Sequence, residues 1–416
     1  MKVLVIGGGG REHAICESLK KSAKVTELFA APGNAGIAQI ANCENISETN
    51  IDALLAFALK NEIDLTIVGP EIALAAGVAD VFLQNNLKIF APTKRATQIE
   101  SSKEFAKNLM KKYDIPTAEY QVFDDYDIAV KYITQKGAPI VLKYDGLAAG
   151  KGVVVAQTFN EAKSALDDML LHRKFGQGRV VIEEFLAGPE FSFMCFVNGK
   201  NVFPMALAQD HKRAFDGDKG ANTGGMGAYS PLPFITKEDE NFALKNIMQK
   251  TANALLSEDC EFCGILYGGL IKTTNGIKVI EFNARFGDPE TEVILPRLQS
   301  DIFDIFNDVI DGKTPNIQWN TQCALGVVLA SKGYPESYAK GFEIKNLDKV
   351  DAQVFQMGTK FENGKLLTNG GRVLFITALA DTFKEAQTKV LNEISKIECD
   401  NLFWRKDIGH QVINVE

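Results

Sequence analysis

Lysines and glycines occur together in one short segment between two apolar runs. Residues 140–156 read IVLKYDGLAAGKGVVVA and include Lys143, Gly150, Lys151 and Gly152. Glycine lets backbone N–H groups approach an anion without a Cβ in the way, and lysine supplies positive charge. The segment therefore predicts a strand, a phosphate-binding hairpin and a second strand. An ordinary solvated hairpin is the alternative interpretation, because Gly-Lys-Gly also occurs in such turns.

Two common nucleotide-binding folds do not fit the glycine-rich turns of this chain. A P-loop needs Gly-Lys-Ser/Thr at the start of a helix, whereas Gly152 leads into the valine run 153–155. The turn after the first apolar run is rich in glycine, but Arg11-Glu12-His13 interrupts the G-x-G-x-x-G spacing of a nicotinamide-binding Rossmann domain. Both folds are therefore disfavoured.

An apolar strand that ends in acids follows downstream. Residues 180–186 read VVIEEFL and end in Glu183, Glu184, Phe185 and Leu186. An adenine ring needs exposed backbone donors and acceptors beside apolar walls, which a strand leaving its sheet provides. Glu190 is then within reach of the ribose hydroxyls. In isolation, the same pattern also fits a buried strand with solvated carboxylates at its tip.

A carboxylate and an amide lie two residues apart on a further predicted strand. Glu281 and Asn283 point to the same face, because side chains alternate along a strand. Their hard oxygen atoms suit Mg²⁺, which proteins hold with few groups in addition to nucleotide phosphates. Arg285, Asp288 and Glu290 follow at once. A solvated edge strand does not explain this density of charge, so the pattern indicates a site.

Residues 1–100 show alternating apolar runs and helical patterns. The apolar runs lie near 3–6, 28–31, 65–68 and 88–91, and the helical patterns near 12–20, 51–60 and 72–85. This alternation predicts a doubly wound parallel sheet, in which ligands bind at the carboxyl ends of the strands. Ser101 and Glu104 form a capping box that predicts the start of the next domain, with Lys103 in the first helical turn. A cation there is unfavourable unless an anion such as a nucleotide binds beside it.

Two further units follow. Residues 101–318 are expected to form a central domain with a small lid sheet at about 120–187, which includes a helix at 160–171. The C-terminal unit, 319–416, is expected to be independent. Its predicted elements are strands near 324–330, 353–357 and 372–378 and a helix near 383–397. The stretch 209–227 is rich in glycine and poor in apolar residues, which indicates a mobile functional loop.

Composition disfavours several functional classes. The chain has 416 residues and a formal net charge of −8, which argues against a protein that coats nucleic acid. No apolar run reaches the length of a membrane span, and residues 1–7 begin as a strand instead of a signal peptide. Seven cysteines in apolar segments indicate free thiols in a reducing cytoplasm. Cys260 and Cys263 do not indicate a zinc site, since no second pair accompanies them.

Eight segments, taken in chain order, resemble the motifs of one enzyme family. A lysine at a helix start, a lysine–glycine loop, an acidic strand end and a Glu-x-Asn strand are together similar to the ATP-grasp superfamily. Within it, the chain resembles the phosphoribosylamine–glycine ligase family. The segments are GGGGREH at 7–13, APGNAG at 31–36, VGPE at 68–71, DGLAAGKG at 145–152, QDHKR at 209–213, NTGGMG at 222–227, NARFGDPE at 283–290 and RKDIG at 405–409.

The resemblance implies a fold, an activity and cofactors. Residues 101–318 would be the ATP-grasp domain, between the N-terminal sheet and a small C-terminal α/β domain. The implied reaction joins glycine to 5-phosphoribosylamine through glycyl phosphate, in purine synthesis. ATP and Mg²⁺ or Mn²⁺ are the implied cofactors, with Glu281 and Asn283 as metal ligands. The implied partners are these small molecules, with transient contact to the enzyme that makes phosphoribosylamine, and neither nucleic acid nor membrane.

The resemblance also implies which residues bind ATP and the substrates. ATP binding is assigned to Lys103, Lys143, Gly150, Lys151, Gly152, Glu183, Glu184, Phe185, Leu186 and Glu190. Substrate binding is assigned to Gly9, Gly10, Arg11, Glu12, Pro70, Glu71, Asp210, Lys212, Asn222, Thr223, Gly224, Gly225, Arg285 and Glu290. The implied catalytic residues are Arg285, Asp288 and Lys143.

Some alternatives stay open at this point. His211 is either a general base or a partner of Lys212 and Arg213 in anion binding. Arg372 either brings a further cation to the site or belongs to a hairpin turn. Many ATP-grasp enzymes carry a second carboxylate on the strand before Glu-x-Asn, but residues 265–271 have none, so the number of metal ions is open. A sister ATP-grasp carboxylase and a nucleotide-binding protein without turnover are the alternative functions.

Overall fold

The computed structural model describes residues 1–146 and 152–413. The N-terminal part contains strands β1 (Lys2–Gly7), β2 (Glu27–Pro32), β3 (Asn42–Cys43), β4 (Leu65–Val68) and β5 (Ile89–Phe90), and helices α1 (Gly10–Lys20), α2 (Ile51–Lys60), α3 (Glu71–Ala76) and α4 (Val78–Gln84). The strands pair in parallel in the order β3-β2-β1-β4-β5. Strand β4 is fully buried, as expected where helices cover both faces of a parallel sheet. The predicted doubly wound sheet is confirmed.

The segment predicted as one helix at 72–85 forms two. Helix α3 ends at Ala76 and α4 begins at Val78, with Gly77 between them. Gly77 has a φ of +94° and its N–H closes the last turn of α3. A left-handed residue ends a right-handed helix, and glycine adopts this conformation without a Cβ penalty. The apolar period did not reveal the break, because it continues across the glycine.

Two helices lead into the next domain: α5 (Gln98–Ser101) and α6 (Lys103–Lys112). The N-cap of α6 is Ser102, which has an extended backbone and accepts a hydrogen bond at Oγ from Phe105 N at 3.1 Å. The predicted capping box is therefore wrong, because Ser101 still belongs to α5. Glu104 instead forms an ion pair with Arg179 at 2.7 Å.

A small antiparallel sheet with two helices forms the lid. Its elements are β6 (Tyr120–Phe123), α7 (Tyr126–Lys136), β7 (Ile140–Tyr144), β8 (Val153–Ala156), α8 (Phe159–Leu166) and β9 (Val180–Glu184). The strand order is β6-β9-β7-β8, and a π-helical turn at Asp167–Leu171 extends α8. Leu142, Ala156 and Ile182 lie in a hydrophobic core made by lid residues. The described part of the lid therefore packs around its own core.

The central domain is built on a second antiparallel sheet. Its elements are β10 (Glu190–Asn198), β11 (Asn201–Pro204), β12 (Gln209–Asp210), β13 (Arg213–Phe215), β14 (Lys219–Asn222), β15 (Gly227–Ser230), α9 (Lys237–Ala243), α10 (Gln249–Ser257), β16 (Cys263–Thr273), β17 (Gly276–Asn283), α11 (Thr291–Ile294) and α12 (Ile302–Ile310). The sheet order is β11-β10-β16-β17. In β17, Glu281 pairs with Gly269 but Val279 pairs with Leu270, so Ile280 is the additional residue of a β-bulge.

The C-terminal sheet takes strands from two parts of the chain. The remaining elements are β18 (Cys323–Ser331), β19 (Gln353–Gln356), β20 (Thr359–Glu362), β21 (Lys365–Thr368), β22 (Arg372–Ala380), α13 (Phe383–Ile394), β23 (Leu402–Phe403) and α14 (His410–Ile413). The sheet runs β12-β15-β18-β22-β19. Strands β12, β13 and β14 lie within the stretch that the sequence indicated as a loop, and β15 begins at its last residue. The C-terminal unit is thus completed by the central domain, and these strands are too short to show a period in the sequence.

Shared hydrophobic cores join the N-terminal, central and C-terminal parts. One core contains Ile6 of β1, Leu266 of β16 and Ile376 of β22. A second contains Val5 of β1 and Phe375 of β22. Among the helices in the described part of the chain, none combines the length and the apolar character that crossing a bilayer requires.

Candidate active site

Two clefts meet at the side chains of Lys143 and Glu281. The first cleft lies between the N-terminal part, α6, the lid and β17, and it is also lined by Glu71, Glu100, Lys103, Lys107, Asn283 and Arg285. The second lies between the lid and the central domain, and it is also lined by Glu184, Phe185, Leu186, Glu190, Asp210, His211, Lys212, Asn222 and Thr223. Two ligands bound in the two clefts would therefore be adjacent at Lys143 and Glu281.

A buried carboxylate holds two lysines under this junction. Glu183 of β9 forms ion pairs with Lys143 Nζ at 3.0 Å and with Lys107 Nζ at 2.8 Å, and the three side chains are 3–4% exposed. Lys143 Nζ also donates to the carbonyl of Ile280, the bulge residue, at 2.9 Å. Burial lowers the pKa of Lys107 to about 8 against the opposing effect of Glu183. Glu183 therefore faces the junction, whereas the sequence suggested that it lies at the strand tip with Glu184.

The glycine-rich hairpin begins at a carboxylate that fixes the start of α6. Asp145 Oδ1 accepts hydrogen bonds from the backbone N–H groups of Lys103 at 2.6 Å and Glu104 at 3.2 Å. Lys103 Nζ donates to the carbonyl of Gly146 at 3.1 Å. The predicted residues Gly150 and Lys151 lie outside the described residues. Gly152, directly before β8, lines the first cleft.

Glu281 and Asn283 face the first cleft together, as their spacing predicted. Burial raises the pKa of Glu281, but Lys143, Lys212 and Lys103 outweigh this and hold the pKa below its ordinary value. The carboxylate is therefore ionised and can bind a cation. Within the described residues, no group of three or more His, Cys, Asp or Glu side chains is placed to hold a metal ion. A metal here would have few protein ligands, which is usual for Mg²⁺ bound with a nucleotide.

Arg285 lies between carboxylates from the N-terminal part. Its guanidinium is 3.1 Å from Glu100 Oε1 and 3.5 Å from Glu71 Oε2, and it donates to Asn283 Oδ1 at 3.4 Å. Burial opposes its charge, but Glu100 and Glu71 raise the pKa of Arg285. Glu100 also accepts from Ala284 N at 2.7 Å. Arg285 is thus held in place from two sides and still lines the first cleft.

Asp288 is paired with a cation from the C-terminal unit. Arg372 Nη1 is 2.9 Å from Asp288 Oδ1 and donates to the carbonyl of Gly224 at 2.7 Å. Gly225 has a φ of +110°, and a Cβ there would lie 2.4 Å from Cδ of Pro289. Of the two alternatives for Arg372, the structure favours a cation at the site over a turn residue.

Glu290 is buried among hydroxyl groups. Its Oε1 accepts from Ser192 Oγ at 2.7 Å and from Tyr267 OH at 2.9 Å. The nearby Glu190 is exposed at the start of β10 and pairs with Lys212 Nζ at 2.8 Å. Glu190 and Lys212 both line the second cleft, whereas Glu290 lines neither cleft.

The glycine turn after β1 is shaped around one carboxylate. Glu12 Oε2 accepts from Gly9 N at 2.6 Å, and Glu12 Oε1 accepts from Arg11 Nε at 2.6 Å. A Cβ on Gly69 would lie 1.8 Å from Glu12 Oε1, so that position, directly before Pro70, admits glycine alone. Arg11 Nη1 donates to the carbonyl of Phe286 at 3.1 Å. The turn with Gly9 and Gly10 is therefore joined to the segment that carries Arg285 and Asp288.

His211 is buried and its ring is already bonded. Its Nε2 accepts from Gly409 N at 2.9 Å, and it lies 3.8 Å from Asp218 through Nδ1. Burial lowers the pKa of His211. A ring nitrogen that accepts a backbone N–H cannot also accept a proton from a substrate, so the geometry does not favour the general-base alternative.

Comparison with known proteins identifies the family. Models of the phosphoribosylglycinamide synthetase N domain, ATP-grasp (A) domain and C domain match residues 1–100, 101–291 and 324–411. The chain belongs to the phosphoribosylglycinamide synthetase family. The resemblance noted from the sequence motifs is therefore confirmed. The protein is therefore an ATP-dependent ligase, and ATP-grasp enzymes use ATP with a divalent metal ion.

Named relatives match this chain over almost its whole length. The phosphoribosylamine–glycine ligase of Halalkalibacterium halodurans is 54% identical, with 99% of this chain and 97% of the relative covered. That of Neisseria meningitidis serogroup A is 51% identical, with 100% of both covered. The crystal structure of phosphoribosylamine–glycine ligase from Thermotoga maritima superposes with a TM-score of 0.87 at 32% identity, covering 98% of this chain and 100% of that one. A Campylobacter jejuni biotin carboxylase, at 16% identity, shares the fold.

Sequence reasoning missed several residues of this synthetase site. They are Glu100, Lys107, Ser192 and Tyr267, which contact predicted site residues through the bonds given above. Each lies far along the chain from its partner, so local spacing carried no signal for it. One signal was available for Glu100, which is an acid close to the predicted start of the ATP-grasp domain.

Proposed function

We propose that the chain joins glycine to 5-phosphoribosylamine, giving glycinamide ribonucleotide, ADP and phosphate, as a cytoplasmic step of purine synthesis. The meeting of the two clefts at Lys143 and Glu281 is the observation that carries the proposal. A ligase of this kind must bring the γ-phosphate of ATP beside a carboxylate and then beside an amine. Two clefts with a common, cation-rich end satisfy this requirement.

The second cleft is the proposed ATP site. The strand end formed by Glu184, Phe185 and Leu186 borders it, with apolar Val141, Val155 and Ile271 close by. We assign the adenine to this border and the ribose to Glu190. The phosphates would then extend to Lys143, Lys103 and the segment with Gly150, Lys151 and Gly152, with Glu183 holding Lys143 in place.

Glu281 and Asn283 would hold Mg²⁺ or Mn²⁺. When bound, the ion neutralises charge on the phosphoryl group that is transferred. The residues fit such an ion, because an ionised carboxylate and an amide oxygen lie on one face of β17 beside three lysines. Arg285, next to Asn283, would complete the positive surroundings of the transferred group.

The remaining assigned residues would bind the substrates. We assign the sugar phosphate of phosphoribosylamine to the turn of Gly9, Gly10, Arg11 and Glu12, with Pro70 and Glu71 beside it. Arg285 would bind the glycine carboxylate or the acyl phosphate. The other assigned positions are Gly224, Gly225, Asp288 and Glu290, together with Asp210, Lys212, Asn222 and Thr223, which line the second cleft and would therefore lie beside ATP as well.

The chemistry follows from the poor leaving group of a carboxylate. Glycine must first be phosphorylated on oxygen, because oxide does not leave. Lys143 and Arg285 would stabilise negative charge as the phosphoryl group moves, and Asp288 would orient the attacking amine. The amine then displaces phosphate from glycyl phosphate. Water must be excluded during this interval, and closure of the lid over the second cleft would exclude it.

ADP release tests the proposed substrates. Purified protein should release ADP when given ATP, glycine and freshly made phosphoribosylamine, and should release little when glycine is replaced by bicarbonate or another amino acid. Transient association with the enzyme that makes phosphoribosylamine would shorten the time that this unstable amine spends in water. Adding that enzyme to the assay should then increase ADP release. Dependence on bicarbonate would instead identify a carboxylase.

Oxygen transfer tests the proposed intermediate. With glycine labelled by ¹⁸O in its carboxylate, ¹⁸O should appear in the released phosphate, because only attack of a glycine oxygen on the γ-phosphate moves it there. Phosphate can be analysed by mass spectrometry after a complete reaction. Product without ¹⁸O in phosphate would exclude glycyl phosphate while leaving the substrates as proposed.

Replacing Arg11 should affect one substrate selectively. We expect Arg11→Ala to raise the KM for phosphoribosylamine by about tenfold, because a charge-assisted contact to phosphate is lost. The KM for ATP should stay near normal. The control is Arg95→Ala, an exposed arginine of the N-terminal part. A selective rise in the KM for ATP would instead assign the N-terminal turn to the nucleotide.

A further inference from the structure

The motif Arg405-Lys406-Asp407-Ile408-Gly409 has no role in the chemistry above, yet its arginine is fully buried. The Arg405 side chain is 0% exposed and forms a two-point contact with Asp407, from Nε to Oδ1 at 2.7 Å and from Nη2 to Oδ2 at 2.8 Å. Such a planar fork is specific to arginine. Residues 405–409 are called the clamp below.

The clamp binds the hairpin formed by β13 and β14, residues 213–222. Arg405 Nη1 donates to the carbonyl of Arg213 at 3.1 Å and to Asp218 Oδ1 at 2.9 Å. Asp407 Oδ2 accepts from Gly217 N at 2.8 Å, and Lys406 N donates to Asp216 Oδ1 at 2.8 Å. Strand β13 and the turn between β13 and β14 are therefore held by several polar contacts from the clamp.

The same segment fixes both neighbours of Lys212. On one side, Gly409 N donates to His211 Nε2 at 2.9 Å. On the other side, the carbonyl of Arg213 accepts from Arg405. Between them, Lys212 reaches into the second cleft, where it pairs with Glu190. A shift of the clamp would therefore move Lys212 relative to that cleft.

We propose that the clamp positions Lys212 in the second cleft. Arg405 and Asp407 hold the hairpin so that the Lys212 side chain lies where ATP binding requires it. The proposal rests on the assignment of the second cleft to ATP. Arg405 lines neither cleft, so it would act on the bound nucleotide through the hairpin. Through this contact, the C-terminal unit would influence the affinity of the central domain for ATP.

Asp218→Asn weakens the clamp with little risk to folding, because Asp218 is on the hairpin and its side chain is 44% exposed. Asp218 also lines the second cleft, whereas Arg405 lines neither cleft, so Arg405→Lys separates positioning from a direct effect on the cleft. The variant weakens the Arg405–hairpin contact but leaves Asp407 paired. We expect the KM and the directly measured Kd for MgATP to rise about three- to tenfold, with a smaller change in kcat. Asp218→Glu should restore much of the affinity, since it keeps the carboxylate. Arg405→Lys, which keeps the charge but loses the fork, should behave like Asp218→Asn.

The control is Lys219→Ala, an exposed change on the same hairpin. It should leave the KM and Kd for ATP unchanged. Melting temperatures separate positioning from general stability: a merely structural clamp would lower Tm and leave both constants at the wild-type value, which would overturn the proposal. Equal loss of affinity in Lys219→Ala would also overturn it. If the wild-type enzyme shows no glycine-dependent ADP release while MgATP binding still depends on Arg405, the proposed reaction fails and the clamp stands.

Discussion

Glu281→Gln should lower turnover by at least about a hundredfold while the fold stays intact, since positioned charge stabilisation of phosphoryl transfer contributes several kcal/mol. Glutamine keeps the size of the side chain but removes the negative charge that Lys143, Lys103 and Lys212 surround. The metal would lose its charged ligand. Turnover should be measured as ADP release over a range of Mg²⁺ or Mn²⁺ concentrations.

The same variant has a second expected property. If Glu281 binds the metal, part of the lost turnover should return at high metal concentration, whereas the wild-type enzyme should saturate earlier. Glu261→Gln, which removes an exposed carboxylate just before β16, is the matched control and should behave like the wild type. Unchanged turnover of Glu281→Gln at limiting metal would exclude Glu281 as a ligand. Circular dichroism and Tm should confirm that the variant is folded.

Glu183→Gln should have two effects: it should destabilise the protein, and it should displace Lys143 where the two clefts meet. It leaves two buried lysines facing an uncharged amide, and removing one partner of a buried ion pair costs about 3 kcal/mol or more of unfolding free energy. Because Lys143 also bonds to Ile280, we expect it to shift and the KM for ATP to rise. Urea denaturation and initial-rate kinetics measure the two effects.

Glu184→Gln is the neighbouring control. Glu184 is exposed, and its ion pair with Lys278 spans 3.6 Å. Exposed pairs contribute about 0–1 kcal/mol, so this variant should stay close to the wild type in urea. Equal stability of Glu183→Gln and the wild type would show that Lys143 and Lys107 lose their charge or reach other partners at little cost. The difference in unfolding free energy between the two variants would separate the effect of a buried charge from that of an exposed one.

Local patterns predicted the parts of this protein that depend on neighbours in the chain. Alternation along β17 placed Glu281 and Asn283 on one face, and the repeating apolar runs predicted the N-terminal parallel sheet. Where local rules failed, a single backbone position decided the outcome. Gly77 divides a helix that the apolar pattern continues, and Ser102 caps α6 in place of Ser101.

The amino-acid sequence by itself determined the family, the order of the motifs and the residue types available for phosphate and metal binding, because these are properties of short segments. The tertiary structure alone decided which of them meet. Glu183 meets Lys143 through the pairing of strands β7 and β9 and Lys107 through the packing of α6 against the lid, and Glu100 of the N-terminal part reaches Arg285 after β17. Contacts of this kind depend on how whole sheets are placed against one another, which no spacing in the chain records.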